Sequence, residues 1–214
     1  MAQIESGIRK VLAHPAVYDF FQDLVGVSRV RERWVREYLK PFPGARILDI
    51  GCGTSELLRY LPRGIEYTGY DRSEAYIAAA RKRFGDRGRF TCESVEVEAA
   101  AGADGSAGRG SFDIALAFGV LHHLDDAEAR QVFVSARRAL KPAGRLVTID
   151  PTFVPTQSRM SRYIVARDRG RNVRSPQAYA ELGRGVFGVF ETAHWSGALR
   201  IPFDHGLVVA SGEP

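Results

Sequence analysis

The 214-residue chain has only two cysteines, Cys52 and Cys92, too few for a disulfide framework. Reduced thiols in a cytoplasmic protein are the expectation. No apolar run approaches the roughly 18 residues that cross a bilayer. The opening residues, MAQIESGIRK, lack the basic stretch and apolar core of a secretory signal. Histidine and cysteine nowhere gather at zinc-ligand spacing. No internal repeat is present. What remains, 45% apolar and 26% charged residues, suits one globular domain with a sizeable core and is short for two.

The formal net charge is +5, and its excess is local. Residues 156–186 hold seven arginines (159, 162, 167, 169, 171, 174 and 184) against Asp168 and Glu181, an excess equal to that of the whole chain. Such a segment can draw in a phosphorylated or carboxylated small molecule, or nucleic acid. A solvated arginine-rich surface is the plainer alternative.

Residues 1–43 carry helical rather than strand periodicity. His14-Pro15 divides two early stretches bearing Val17, Tyr18, Phe20, Phe21 and Leu24. Ser28 is placed to cap a helix with Val30, Trp34 and Tyr38 on one face, stopped by Pro41 and Pro43. From residue 45 strands and helices alternate. Strands are expected at 46–50, 66–71, 89–93, 112–118 and 145–149, with helices at 56–61, after Ser73, and after Asp125. Asp125 and Glu128 form a capping-box pattern. This alternation implies a mostly parallel sheet covered on both faces. The Gly/Ala/Ser-rich residues 98–111 read as a loop, and 153–172 as an inserted cap. Ser175-Pro176 opens another helix, and strands at 186–194 and 206–210, with no helix between them, imply a closing antiparallel hairpin.

The most informative stretch is ILDIGCGTS, residues 47–55: a buried strand, a turn with two glycines, then a helix. Glycine allows the sharp bend and lets a ligand approach the backbone. Asp71, twenty residues after Gly51 at the end of the second strand, can accept both hydroxyls of a ribose. A nucleoside-containing ligand follows. A dinucleotide is disfavoured, because Glu56 stands where the third glycine of G-x-G-x-x-G would seat a pyrophosphate.

The ordered series ILDIGCGTS, YTGYDRS, FDIALAFGVLHHL and ALKPAGRLVTIDP, over about half the chain, resembles the motifs of class I S-adenosylmethionine (SAM)-dependent methyltransferases of the small-molecule type. The resemblance implies an α/β, Rossmann-like, doubly wound fold. Its seven-stranded sheet would be mostly parallel with an antiparallel last strand. Residues 1–43 would form a helical cap, and 44–214 the SAM-binding domain with its insert. Asp49, Gly51 and Gly53, with Cys52 in the same turn, would hold the methionine part of SAM. Asp71, followed by Arg72, would hold the ribose, while Phe118 and Gly119 flank the sulfonium. Two departures stand out: the usual third glycine is Ser55, and the acid beside adenine has only Glu93 or Ser94 as counterparts.

SAM is already activated, so the protein need only align the acceptor, exclude water and, where required, take a proton. His122 and His123, just past the fourth strand, are the candidate bases. Asp150, at the end of the fifth, is placed to orient an acceptor. A structural role in packing or SAM-site ordering competes for the histidines. His14, Tyr18 and Gln22 are further pocket candidates, as is His205 before the last strand. Neither an Asn-Pro-Pro-Tyr motif nor a Lys-Asp-Lys-Glu tetrad is visible, and neither cysteine is placed as a base-C5 nucleophile. Asp150 alone does not make an oxygen-ligated cation site. Metal-independent transfer to an oxygen, nitrogen or carbon of a small molecule, which the basic segment allows to be anionic, is the leading expectation, with no membrane partner. RNA methylation, and a SAM-fold protein without chemistry, are the alternatives.

Overall fold

The computed structural model describes residues 24–93, 110–168 and 170–214. The strands are β1 (Arg46–Ile50), β2 (Glu66–Asp71), β3 (Arg89–Cys92), β4 (Phe112–Phe118), β5 (Leu140–Pro151), β6 (Val189–Trp195) and β7 (His205–Ser211). The helices are α1 (Val27–Trp34), α2 (Glu74–Phe84), α3 (Asp126–Ala139), α4 (Arg159–Val165) and α5 (Pro176–Glu181).

Alternation along the strands builds both layers of the core. In β1, Ile47 faces one side and Leu48 the other, as a two-residue period requires. One side joins Ile47, Ile114, Leu116, Val147, Ile149 and Leu207 to Val30 and Trp34 of α1 and to Ile77, Ala80 and Phe84 of α2. The opposite side joins Leu48, Ala115, Leu146 and Val208 to Ala129, Val132, Phe133 and Ala136 of α3 and to Tyr179 of α5. Such two-sided burial is what a parallel sheet demands.

The sheet runs β3-β2-β1-β4-β5-β7-β6. Strands β1 to β5 pair in parallel, whereas β7 runs antiparallel to both β5 and β6. The expected fold class therefore stands, with β7 inserted between β5 and the edge strand β6. Strand order reverses at β1/β4, which opens a crevice at the C-terminal ends of those two strands.

Several local expectations shift. Gly26, at φ 92°, rather than Ser28, is the N-cap of α1, without a side-chain cap. The expected helix at 56–61 is a short 3-10 turn, Glu56–Arg59. It begins at Ser55, whose left-handed backbone (φ 57°) leaves its hydroxyl unable to cap. Glu93 falls in a bend after β3 instead of within it. Strand β5 takes in the turn at 141–144, and β6 begins at Val189. The insert carries α4, capped by Ser158. The Ser73 cap, the Asp125/Glu128 capping box and the Ser175-Pro176 start form as expected. The loop at 98–111 falls outside the described residues up to position 109, as do Ser94, His14, Tyr18 and Gln22.

Candidate functional site

The crevice is made by three turns. After β1 the chain bends at Gly51 (φ 72°) and Gly53 (φ 56°), both left-handed. At Gly51 a Cβ would also lie 2.7 Å from Val120 Cγ2, so the bend is glycine for two reasons. The N–H groups of Gly51 and Cys52 both donate to the Tyr70 carbonyl, tying this turn to the end of β2. There Asp71 accepts from Gly53 N–H (3.0 Å) and Ser73 N–H (2.8 Å), which aims its carboxylate across the glycine turn. Two lone pairs remain for a ligand's hydroxyls. Arg72 and Glu93 are exposed beside it.

Asp49 is buried at the end of β1, one Oδ accepting from the Tyr67 hydroxyl (2.5 Å) and the other without a partner among the described residues. Burial pushes its pKa up to about 7, against the hydrogen bond from Tyr67. An orphaned, desolvated carboxylate oxygen is a place for a cation or N–H donor. Arg31 was not foreseen. It is buried on α1, with its guanidinium 5.6 Å from the Phe118 ring centre, and its charge acts on Asp49. The signal was available: Val27, Val30, Arg31 and Trp34 follow the i, i+3, i+4, i+7 spacing of a buried helix face. Phe118 lies edge-on to Trp34, with ring centres 5.3 Å apart. Gly119 (φ 69°) turns the chain away from β4.

Beyond Gly119, His122 is buried between two carboxylates. Its Nδ1 meets Asp150 at 2.8 Å, and its Nε2 meets Asp168 of the insert at 3.1 Å. Burial opposes the imidazolium, but the hydrogen bonds of Asp150 and Asp168 outweigh it and lift the pKa to about 9. Burial likewise works against the Asp168 carboxylate, yet His122 holds its pKa down at about 2. Both ring nitrogens are occupied, so His122 has no lone pair to offer an acceptor. The second oxygen of Asp150 is buried and unpartnered among the described residues. His123 stacks on His122 with ring centres 4.0 Å apart.

Residues 170–174 cross this turn as a strap. Asn172 N–H donates to the His122 carbonyl (3.0 Å), and Gly170 lies so close that a Cβ there would overlap the His122 ring. Arg174 donates to the carbonyls of Leu121 (3.0 Å) and Leu124 (2.9 Å) and pairs with Asp126. The arginine-rich segment is therefore not one free cationic surface. Arg174 is consumed by the fold, Arg184 pairs with Glu181, and Arg162 donates to the Val154 carbonyl. Motif reasoning passed over Asp168, Gly170 and Arg174, because they lie outside the sheet-edge motifs.

His205 sits at the start of β7, opposite Pro151. Around it Asp204 receives the Ser161 hydroxyl and meets His194 Nε2 at 2.5 Å. Cys52 is half-buried and Cys92 exposed, both as free thiols. Among the described residues no group of His, Cys, Asp and Glu has the geometry of a metal site, and no helix is long and apolar enough to cross a membrane.

The family model of the methyltransferase domain matches residues 48–146. An O-methyltransferase, cnsE, of Penicillium expansum is 34% identical over 131 residues, 60% of this chain and 45% of that protein. The ubiquinone/menaquinone biosynthesis C-methyltransferase UbiE of Cereibacter sphaeroides is 30% identical over 144 residues, 64% of this chain and 56% of its own length. The chain thus spans about half the length of these curated relatives. Among solved structures, a TehB-like SAM-dependent methyltransferase from Corynebacterium glutamicum superposes with a TM-score of 0.64 at 20% identity, over 94% of this chain and 99% of that one. Over residues 48–146 the chain matches the methyltransferase-domain family, and its motif order and sheet order are those of a Rossmann-like methyltransferase fold.

Proposed function

We propose that the chain transfers a methyl group from SAM to a small-molecule acceptor, without a metal ion. The observation that carries this reading is Asp71, held by two backbone N–H groups so that its carboxylate faces the Gly51–Gly53 bend at the reversal of strand order. Asp71 would accept from the ribose hydroxyls. The orphaned oxygen of Asp49 would accept from the ammonium of the methionine part, in the turn formed by Gly51, Cys52 and Gly53. Arg72 would stand beside the ribose with Asp71, and Glu93, or Ser94 next in sequence, would border the adenine. Phe118 and Gly119 would border the sulfonium. When bound, SAM supplies an electrophilic methyl group that needs no metal to activate it.

In this proposal the protein's own residues shape and dry the site. The Trp34–Phe118 pair closes its floor, and a low local dielectric strengthens the polar contacts within it. His122, charged and filled, orders the turn after β4 together with Asp150, while His123 would border the acceptor and the Asp150 oxygen left unpartnered among the described residues would orient it. The named relatives methylate oxygen in one case and carbon in the other, which supports a small molecule without choosing the atom. Exposed Arg159, Arg167 and Arg171 in and beside the insert favour an anionic acceptor. Two free thiols suit a cytoplasmic setting.

Calorimetric titration with SAM and with S-adenosylhomocysteine tests the reading. Micromolar binding of both is the expected result. Failure of both to bind would remove the proposal.

A further inference from the structure

We infer that His205 takes the proton from the acceptor during methyl transfer, so that the reacting atom is a hydroxyl oxygen or an amine nitrogen. This rests on the methyltransferase reading above and adds a residue that lies outside its motifs.

Placement comes from strand register. Phe118 pairs with Ile149, Ile149 with Leu207, and Pro151 with His205. Phe118, Ile149 and Leu207 belong to one apolar cluster on the α1 side of the sheet. His205 is two residues from Leu207 in the same strand, so it points to that side as well. It lies two strands across from Phe118 and two residues further towards the ligand edge. At about 4.8 Å per strand and 3.3 Å per residue, the two Cα atoms are about 12 Å apart.

Chemistry singles out this histidine. His205 is nine-tenths buried, and its Nδ1 has no hydrogen-bond partner among the described residues. A buried polar atom left unpaired carries a desolvation penalty that a hydroxyl or amine ligand would relieve. Burial drives the ring's pKa down to about 4, so it is neutral and carries a free lone pair near neutral pH. The charged groups acting on it are Asp204 and Asp168, which favour protonation, and His122 and His194, which oppose it. The Phe203 ring flanks it, with centres 5.1 Å apart. His122 cannot serve, because both its nitrogens are held by carboxylates.

The step balances without a further reagent. The acceptor's O or N forms a bond to the methyl carbon as the C–S bond breaks, the electron pair stays on sulfur, and the acceptor's proton passes to His205 and then to water.

Histidine-ring NMR on the full chain saturated with S-adenosylhomocysteine provides the test, with phenol and benzylamine as probes. The His205 signal is assigned by its loss in His205→Phe. Addition of phenol or benzylamine should move that signal saturably, and His205→Phe should weaken binding of the active probe about tenfold, the worth of one buried hydrogen bond. S-adenosylhomocysteine affinity should stay within about twofold in the variant, since a hydrogen bond to the acceptor is not one to the cofactor. A His205 signal indifferent to both probes, or probe binding unchanged in His205→Phe, overturns the inference. Loss of S-adenosylhomocysteine binding in the wild type would instead strike the methyltransferase reading itself.

Discussion

Gly170 offers the sharpest perturbation of the strap that crosses the His122 turn. Its need for glycine is steric: an added Cβ would overlap His122 Cδ2 and stand 2.6 Å from the His122 carbonyl oxygen. Neither neighbour can give. Asp150 and Asp168 hold the ring at 2.8 and 3.1 Å, and Asn172 N–H holds the carbonyl at 3.0 Å. Gly170→Ala must therefore displace the strap. Overpacking of a filled site costs about 1–3 kcal/mol. Loss of the Asp168–His122 pair adds about 1–2 kcal/mol, a value below that of a fully buried pair because Asp168 is 25% exposed. A total near 3 kcal/mol should lower the melting temperature by about 6–12 °C in a domain of this size. Trypsin should also cut faster after Arg167 and Arg171. Thermal unfolding followed by circular dichroism, with a timed tryptic digest, measures both. If Gly170→Ala melts within about 2 °C of the wild type and resists trypsin equally, the strap is not latched as described.

Asp71→Ala should lower SAM affinity at least about tenfold with the fold retained, because it removes the proposed ribose acceptor and frees Gly53 N–H; equal affinity by calorimetry would show that the nucleoside lies elsewhere. Ser55→Gly should raise stability by about 0.5–1 kcal/mol in urea, since Ser55 holds a left-handed backbone whose strain outweighs its weak side-chain contacts, a 3.4 Å one from the Tyr67 hydroxyl and one with the Cys52 thiol. The His122 pair gives a pH signature. Its pKa rises from 6.5 to about 9 on folding, so its stabilisation is complete below pH 6.5 and fades as pH climbs through about 9. The stability gap between wild type and His122→Gln should shrink over that window, and a gap that widened with pH would contradict the assignment.

Local patterning alone carried the sheet. Each strand of the first half is a short apolar run bounded by glycine, proline or acidic turns, and each later helix announces its start through Ser73, Asp125 or Ser175. The Gly51–Gly53 bend and Asp71 were legible because a ligand-holding turn needs particular residue types at fixed spacing. Those are properties of neighbours in the chain, and sequence by itself determined them.

Only the tertiary structure decided which groups surround the histidines. His122 looked like a candidate base next to β4, but its ionisation is set by Asp150, 28 residues away, and by Asp168 in the insert. His205 was one pocket candidate among several, and its burial, with Nδ1 unpartnered among the described residues, follows from β7 pairing with β5. Arg174 counted among the charges of the basic segment until folding set it under the carbonyls of Leu121 and Leu124, and Arg31 drew no notice until folding set it near Phe118 and Asp49. Periodicity reports which face of an element is apolar. Protonation state and hydrogen-bond occupancy depend on groups brought together from distant parts of the chain, and those contacts exist only in the folded molecule.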